Sequence, residues 1–492
     1  DAGLLKFDFL GIKNLSILAD AVERVKKIEG ITVDIEQVPL EDPKTFEMLA
    51  KGETIGLFQL NGSGMTRFLK ELKPSSIHDI NAMVALYRPG PMESIPQYIE
   101  RKHDPSKVRF LDPRMKDILD RSFGVITYQD DVMMIAIKLG GYSWLDADKL
   151  RKAMGKKIPK EMEEQKGKLK EGLLKNGMSA KKADELWKLI EPFAAYGFNK
   201  AHAASYGRVA YQTAYMKANF PAIYMSAVLT ADSGDIEKIA DAITECKRMG
   251  IPVLPPSINE SFSQFTVVKS SSLSSQRKLG SSEEELDSRL RGNDNHESDR
   301  IRFGLMTIKN FGEGISHAII AERKERGAFK SLSDFLERVK DRNLNKKSLE
   351  ALIKAGALDE FGERGQMLAN IELLLEQSKQ STNQAANQDS LFGGLGSAVS
   401  MPALKLLDAP SATMEERLAW EKELLGLYIS GHPLDKFKDI LEKRELTIKR
   451  LKEEFKEGMT VVIGGIVEEM KPIITKKNDM MAFLRVADLT SS

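Results

Sequence analysis

From Asp42 to about Asp232 the sequence is written almost entirely in helical spacing, and that run decides what the chain can fold into. The breaks fall at "RPGP" (88–91), Gly140-Gly141, Gly155 and Gly197, residue types that end or turn a helix. Several of the segments are apolar on more than one face, so the block must bury them against each other. The expected fold class is mainly α with small β elements, in several domains. Upstream, "IKNLSILADAVERVKKIEG" (12–30) has the same spacing through Leu15, Leu18, Ala21, Val22 and Val25 and stops at a glycine. With 492 residues, 42% of them hydrophobic, there is material for about three domains with real cores.

The formal charge of +1 excludes a uniformly basic nucleic-acid binder, so any nucleic-acid surface must be local. Cys246 is the only cysteine. That excludes disulfides and cysteine-built zinc sites, and it fits a reducing compartment. No apolar run of about 18 residues occurs. A cytoplasmic protein is expected. The chain begins at Asp1 and stops after "ADLTSS", and a piece of something longer is expected.

Strand patterns are few. "GLLKFDFLGIKN" (3–14) reads as a short buried strand through Leu4, Leu5, Phe7, Phe9 and Leu10, turning at Gly11. "SQFTVV" (263–268) and "RIRFGL" (300–305) read as a hairpin. Between them, residues 269–300 are dense in serine and charge and too poor in apolar side chains to offset ordering entropy, so disorder is expected. Helices resume over 301–375. Residues 376–403, rich in Gln, Asn, Ser and Gly, read as a flexible linker, and further helices run to about Phe455. Residues 459–489 alternate as three strands with a turn at 477–479.

Five motifs carry chemistry. Asp8 sits between two phenylalanines and reads two ways: a strand-edge carboxylate capping a turn, or a metal ligand whose buried charge a cation offsets. "DKLRKAMGKKIPKEM" (148–162) gathers Lys149, Arg151, Lys152, Lys156 and Lys157 around Gly155, as a solvated helix face or as a polyphosphate site. It lacks the spacing of a phosphate-binding P-loop. "YRPGP" adds Arg88 on a backbone preset by proline. In "FAAYGFNKAHAASYGRVAYQTAYMKANFP" (193–221), Asn199 can cap a helix, and His202 and Tyr206 share a face at i, i+4. Tyr196, Phe198, Lys200, His202, Tyr206 and Arg208 interleave rings and cations, a mix suited to a base and a phosphate. Tyr211 and Tyr215 read as core.

"MTIKNFGEGISHAIIAER" (306–323) and "LNKKSLEALIKAGALDEFG" (344–362) each fit two helices joined by a short glycine-containing hairpin. Such hairpins offer backbone N–H groups to a phosphate without reading bases, with Gly312, Gly314 and Lys309 the DNA-binding candidates. Last, "QDSLFG" (388–393) places Leu391 and Phe392 side by side in a polar segment. That is the pattern of a docking peptide, with Gln388 able to bond at the pocket mouth.

Taken in order, "GLLKFDFLGIKNL", "FQLNGSGM", "ALYRPGPM", "YQDDVM", "LRKAMGKK", "YGFNKAHAASYG" and "YISGHPLDKF" closely resemble the catalytic alpha-subunit family of bacterial DNA polymerase III, the C-family replicative polymerases. The resemblance covers nearly the whole chain except 269–300. It implies a palm end at 1–13, fingers at 14–260, and a clamp-binding region with tandem helix-hairpin-helix elements at 261–440. A connector at 441–458 and the opening strands of an OB-fold at 459–492 would follow. It implies two Mg2+ ions held by three aspartates, of which Asp8 matches the third, with Lys6 as a phosphate contact. Arg88, Arg151, Lys152, Lys156 and Lys157 would bind the triphosphate of a deoxynucleotide. Tyr196 and His202 would face base and sugar, rejecting a ribonucleotide by clash. Implied partners are primer-template DNA, deoxynucleoside triphosphates, the sliding clamp through Gln388, Leu391 and Phe392, and the proofreading and clamp-loader subunits of the replicase.

Two positions depart from the family pattern: Asn61-Gly62 stands where Glu-Ser is usual, and Lys152 where a second arginine is common. The competing function is a non-catalytic, clamp-tethered DNA-binding scaffold, for which Asp8 and the basic cluster are incidental. If "QDSLFG" docks on a clamp, replacing Leu391 and Phe392 by alanine weakens clamp binding by about 2 kcal/mol or more and leaves distributive synthesis intact, as read by surface plasmon resonance and primer extension.

Overall fold

The computed structural model describes residues 7, 11–156, 159–191, 197–269, 299–341, 343–387, 404–443, 446–448, 450–451, 458–474 and 478–488. They form two compact units, Asp1–Ala231 and Asp232–Ser492. The architecture is mainly helical with small sheets, as the periodicity predicts.

The first unit runs α1 (Lys13–Glu29), α2 (Pro43–Lys51), α3 (Ser63–Leu72), α4 (Ile77–Leu86), α5 (Ile95–His103), α6 (Lys116–Leu119), α7 (Gln129–Lys138), α8 (Trp144–Lys156), α9 (Pro159–Lys175), α10 (Ala180–Ile190), α11 (Lys200–Asn219) and α12 (Pro221–Ala231). Local chemistry sets the ends. Asp42 caps α2 through Thr45 N at 2.9 Å, with Pro43 in the first turn. Gly30 ends α1 in the left-handed region and donates to Lys26 O. Asp79, 2% exposed, accepts from Ser75 N and Ser76 N before α4 and from Lys102 Nζ at 2.9 Å. Helix α12 is apolar nearly all round, and its residues 222–229 are buried. Helix α11 packs on α4, α2 and α12. A Cβ at Gly207 would fall 1.8 Å from Asn81 Oδ1, so only glycine allows α11 to approach α4 so closely.

The second unit runs α13 (Ile236–Arg248), β1 (Val253–Leu254), β2 (Thr266–Val268), β3 (Arg300–Arg302), α14 (Glu313–Arg326), α15 (Leu332–Arg338), α16 (Lys346–Lys354), α17 (Arg364–Ala369), α18 (Ile371–Asn387), α19 (Met414–Leu425), α20 (Lys438–Glu442), β4 (Ile466–Ile474) and β5 (Met480–Ala487). The expected hairpin is present: β2 pairs antiparallel with β3, Val267 opposite Ile301, and β1 adds a parallel strand on the other edge. Lys269 and Asp299 bridge at 3.0 Å, and the segment expected to be disordered lies outside the described residues over 270–298. Glu421, fully buried, accepts from Ile429 N and Ser430 N at 2.9 Å, from the Ser430 hydroxyl, and from Arg364 Nη1 at 3.2 Å. That carboxylate ties α17, α19 and the 428–433 turn together.

Four expectations need correction. Phe7, the one described residue of the strand expected over 3–10, is 71% exposed rather than buried. Gly155 does not break its segment but sits in the last turn of α8, in open space. The linker expected over 376–403 is helical as far as Asn387: its Gln, Lys and Ala residues are adequate helix formers, and Leu374 anchors the helix in the core. Of the three strands expected at 459–489, the described residues form two, β4 and β5, paired Ile466 to Ala487. The Gly464-Gly465 pair removes strand propensity from the first of them.

Asp131, 3% exposed, ends the turn into α7 by accepting from Thr127 N and Tyr128 N. Burial pushes its carboxyl up to about 6, opposed by those two N–H groups and by Lys200, and reinforced by Asp130. The folded state holds this proton more tightly than the unfolded chain, so Asp131 favours folding fully below about pH 4, and its contribution declines as pH rises toward 6. Asp131→Asn keeps an acceptor and removes the decline. Denaturant titrations should show the variant gaining on the order of 3 kcal/mol over the parent between pH 4 and 7. In the second unit, Glu421→Ala strips four donors of their acceptor and should lower the unfolding free energy by about 3 kcal/mol or more in the same assay.

Candidate nucleotide and nucleic-acid site

In the first unit the N-terminus of α11 is the centre of the site. Asn199 has extended backbone and accepts from His202 N at 3.0 Å, the cap predicted for it. Two contacts with α7 hold the preceding loop: Gln129 N donates to Phe198 O at 3.0 Å, and Lys200 N donates to Asp130 Oδ2 at 2.7 Å. With the loop fixed, Phe198 stands just before α11 and lines up with His202 and Tyr206 on one stripe of the helix. Their ring centroids are 4.9 Å apart from Phe198 to His202 and 4.2 Å from His202 to Tyr206.

The stripe is extended at both ends by residues far away in sequence. The Arg88 guanidinium lies over the Phe198 ring, 4.1 Å from its centre. At the other end Phe58 packs 5.2 Å from Tyr206. The result is a column of a guanidinium and four rings, with His202 exposed in its middle. Arg88 Nε is buried and meets no acceptor among the described residues, so the guanidinium keeps donor capacity in reserve. Arg88 and His202, both singled out in the sequence, are thus joined through Phe198. Phe58 was not singled out; a lone phenylalanine in "FQL" carries no local signal that it faces α11.

The basic cluster is arranged otherwise. Arg151 and Lys152 on α8 both bond to Asp148 on the same helix, at 2.7 and 2.8 Å. Hydrogen bonds from Lys152 and then Arg151 hold the Asp148 carboxyl below its usual range. A polyphosphate would exchange with that carboxylate. Lys156 closes α8, but its side chain lies outside the described residues, as do Lys157, Tyr196, Lys6, Asp8, Gln388, Leu391 and Phe392. Among the described residues no group of three or more His, Cys, Asp or Glu could hold a metal ion, and no helix is long and apolar enough to cross a membrane.

In the second unit, Gly312 caps α14 and Gly314 lies in its first turn, both exposed, with Asn310 at a positive φ of 68° making the approach turn. Lys309 is exposed, and its backbone N–H donates to Leu424 O at 2.9 Å. The lead-in predicted as a helix is a single 3-10 turn, Leu305–Thr307. A Cβ at Gly314 would lie 3.4 Å from Asn343 Nδ2, so the loop before α16 abuts the start of α14. Asn345 and Ser348 cap α16 reciprocally, and Lys346 and Lys347 are exposed in its first turn. A cavity of about 480 Å³ lies between α19 and the 428–436 turn; residues of the "YISGHPLDKF" segment, among them Tyr428, His432 and Asp435, line it, and none of the candidate site residues does.

Comparison with known proteins gives two family matches, one in each unit. Residues 14–177 match the family described as the bacterial DNA polymerase III alpha subunit finger domain, and residues 250–367 match a helix-hairpin-helix motif. The DNA polymerase III alpha subunit of Thermus aquaticus is 39% identical over 498 aligned residues, covering 100% of this chain and 38% of the relative. Those of Aquifex aeolicus and Bacillus subtilis are each 38% identical over 100% of this chain, which spans 38% and 41% of their lengths. The chain therefore spans about two fifths of the curated relatives it matches. It is homologous along its whole length to the DNA polymerase III alpha subunits of bacteria, and it shares with that family a finger domain and a helix-hairpin-helix segment.

Proposed function

We propose that this chain serves template-directed DNA synthesis in chromosome replication, supplying the surfaces that select the incoming deoxynucleoside triphosphate and hold primer-template DNA. The observation that carries the reading is the Arg88–Phe198–His202–Tyr206 column. Its rings offer a stacking edge to a base, and Arg88 offers an unused donor to a phosphate. His202 is the exposed member, and its position on a capped helix end is fixed. A fixed bulky ring beside the sugar discriminates by clash against a 2′-hydroxyl. Arg151 and Lys152, with Lys156 and Lys157 after them, supply the cations for the triphosphate, which takes the place of Asp148 as their counter-charge.

The turn at Gly312 and Gly314, with Lys309 exposed beside it, is the proposed grip on the duplex backbone. The relatives' names imply a metal-dependent polymerase, and a two-magnesium centre would supply nucleophile activation and leaving-group stabilisation. Asp8 is the ligand proposed from this chain. The described residues offer no group of three or more His, Cys, Asp or Glu that fits a metal. Docking on a sliding clamp through Gln388, Leu391 and Phe392 remains part of the same proposal.

The test is sugar selection. In primer extension by an alpha subunit carrying this chain, His202→Ala should narrow the preference for dATP over ATP by about tenfold or more, through a gain in ribonucleotide incorporation rather than a loss of DNA affinity. An unchanged ratio would remove His202 from the site.

A further inference from the structure

Lys217 lies on α11 and is fully buried. A buried ammonium is costly unless its donors are used, and an apolar side chain of like length would fill the space at less expense. Here the Nζ donates to Glu53 O at 2.9 Å and to Ile55 O at 2.8 Å. The segment it holds, "ETIGLF" (53–58), is neither helix nor strand, so its inward carbonyls have no ladder to enter. Two further straps fix the same segment. Tyr224 Oη donates to Gly56 O at 2.8 Å, and Phe58 N donates to Thr213 Oγ1 at 3.2 Å. Gly56 has a φ of +82°, and a Cβ there would press on Val228 Cγ2 at 3.3 Å. Immediately beyond, Gln59 adopts a φ of +61° and turns the chain away. Phe58 is thus delivered to one place, 8% exposed against Tyr206.

The path is closed. It leaves α11 at Lys217, crosses the 53–58 segment, and returns to α11 at Tyr206, about three turns earlier. From Tyr206 the ring contacts continue to His202, Phe198 and Arg88. We infer that Lys217 is a positioning residue for the nucleotide site: its ammonium pins the 53–58 segment so that Phe58 closes the lower end of the aromatic column and holds Tyr206 and His202 in register. It touches no substrate. The inference rests on the nucleotide-binding reading of that column.

The experiment is solution NMR of the 492-residue chain labelled at histidine, with the His202 ring signal assigned by His202→Gln. Packed between Phe198 and Tyr206, that signal should sit well away from the position of an imidazole without ring neighbours. Lys217→Met, close in length but without donors, should move it toward that unstacked position in the same direction as Phe58→Leu, with a cooperative thermal melt retained. Lys217→Gln, which keeps an N–H donor, should restore part of the shift. A dATP titration followed on the same signal should show affinity about tenfold lower in Lys217→Met and Phe58→Leu alike. A folded Lys217→Met chain with the parent's His202 signal overturns the inference, because Lys217 then only stabilises the fold. If Lys217→Met does not fold, Lys217→Gln is read by the same criterion. Failure of both to fold also overturns it. A parent signal that does not respond to dATP sinks the nucleotide reading of the column, while the His202 shifts still decide whether Lys217 positions it.

Discussion

The approach of α11 to α4 at Gly207 is the constraint on which the first unit depends. Asn81 Oδ1 occupies the space a Cβ would need, so the two helices meet backbone to side chain. Once α11 is seated there, its other faces are committed. Tyr211 donates to Pro39 O at 2.5 Å and accepts from Asp42 N at 3.1 Å, Gln212 donates to Ile35 O at 3.0 Å, and Arg208 donates to Glu36 O. These side chains bind the irregular 35–42 segment to the helix, as Lys217 binds the 53–56 segment. The stripe carrying Phe198, His202 and Tyr206 is left to face Arg88 and Phe58.

Both units hold irregular backbone with buried polar side chains. In the first, Asp79 joins Ser75, Ser76, Tyr98 and Lys102. In the second, Glu421 gathers Arg364 and the 429–430 backbone, and Arg338 donates to Gly327 O and Ala328 O while bonding to Glu322 and Asp334. Such groups resist removal because an unpaired buried charge is worse than none. They also fix loops to within a hydrogen-bond length, the precision a stacking surface or a phosphate grip requires.

Features set by neighbours in sequence were legible. The α1 span with its terminal glycine, the Asn199 cap, the pairing of His202 with Tyr206, and the β2–β3 hairpin each follow from spacing and residue type. The Asp148 ion pairs are not in the sequence reading, which treats 148–162 as a cluster of free cations, although Arg151 and Lys152 stand three and four residues on from that carboxylate. Where polarity was equated with disorder, at 376–387, the reading failed, because helix propensity and one buried leucine outweighed it. At 459–465 a run of alternating residues lost its strand to a glycine pair.

By itself the sequence determined the helical content, the caps at Asn199 and Gly30, the order of segments and the family. These depend on φ/ψ preference and on periods of a few residues, which one chain displays along its length. The tertiary structure alone decided that Phe58 and Arg88 close the two ends of one column, and that Lys217 is buried over two carbonyls. Those partners lie more than a hundred residues apart in sequence in each case. Only the close approach of α11 to α4 at Gly207 brings them within ring-contact and hydrogen-bond distance.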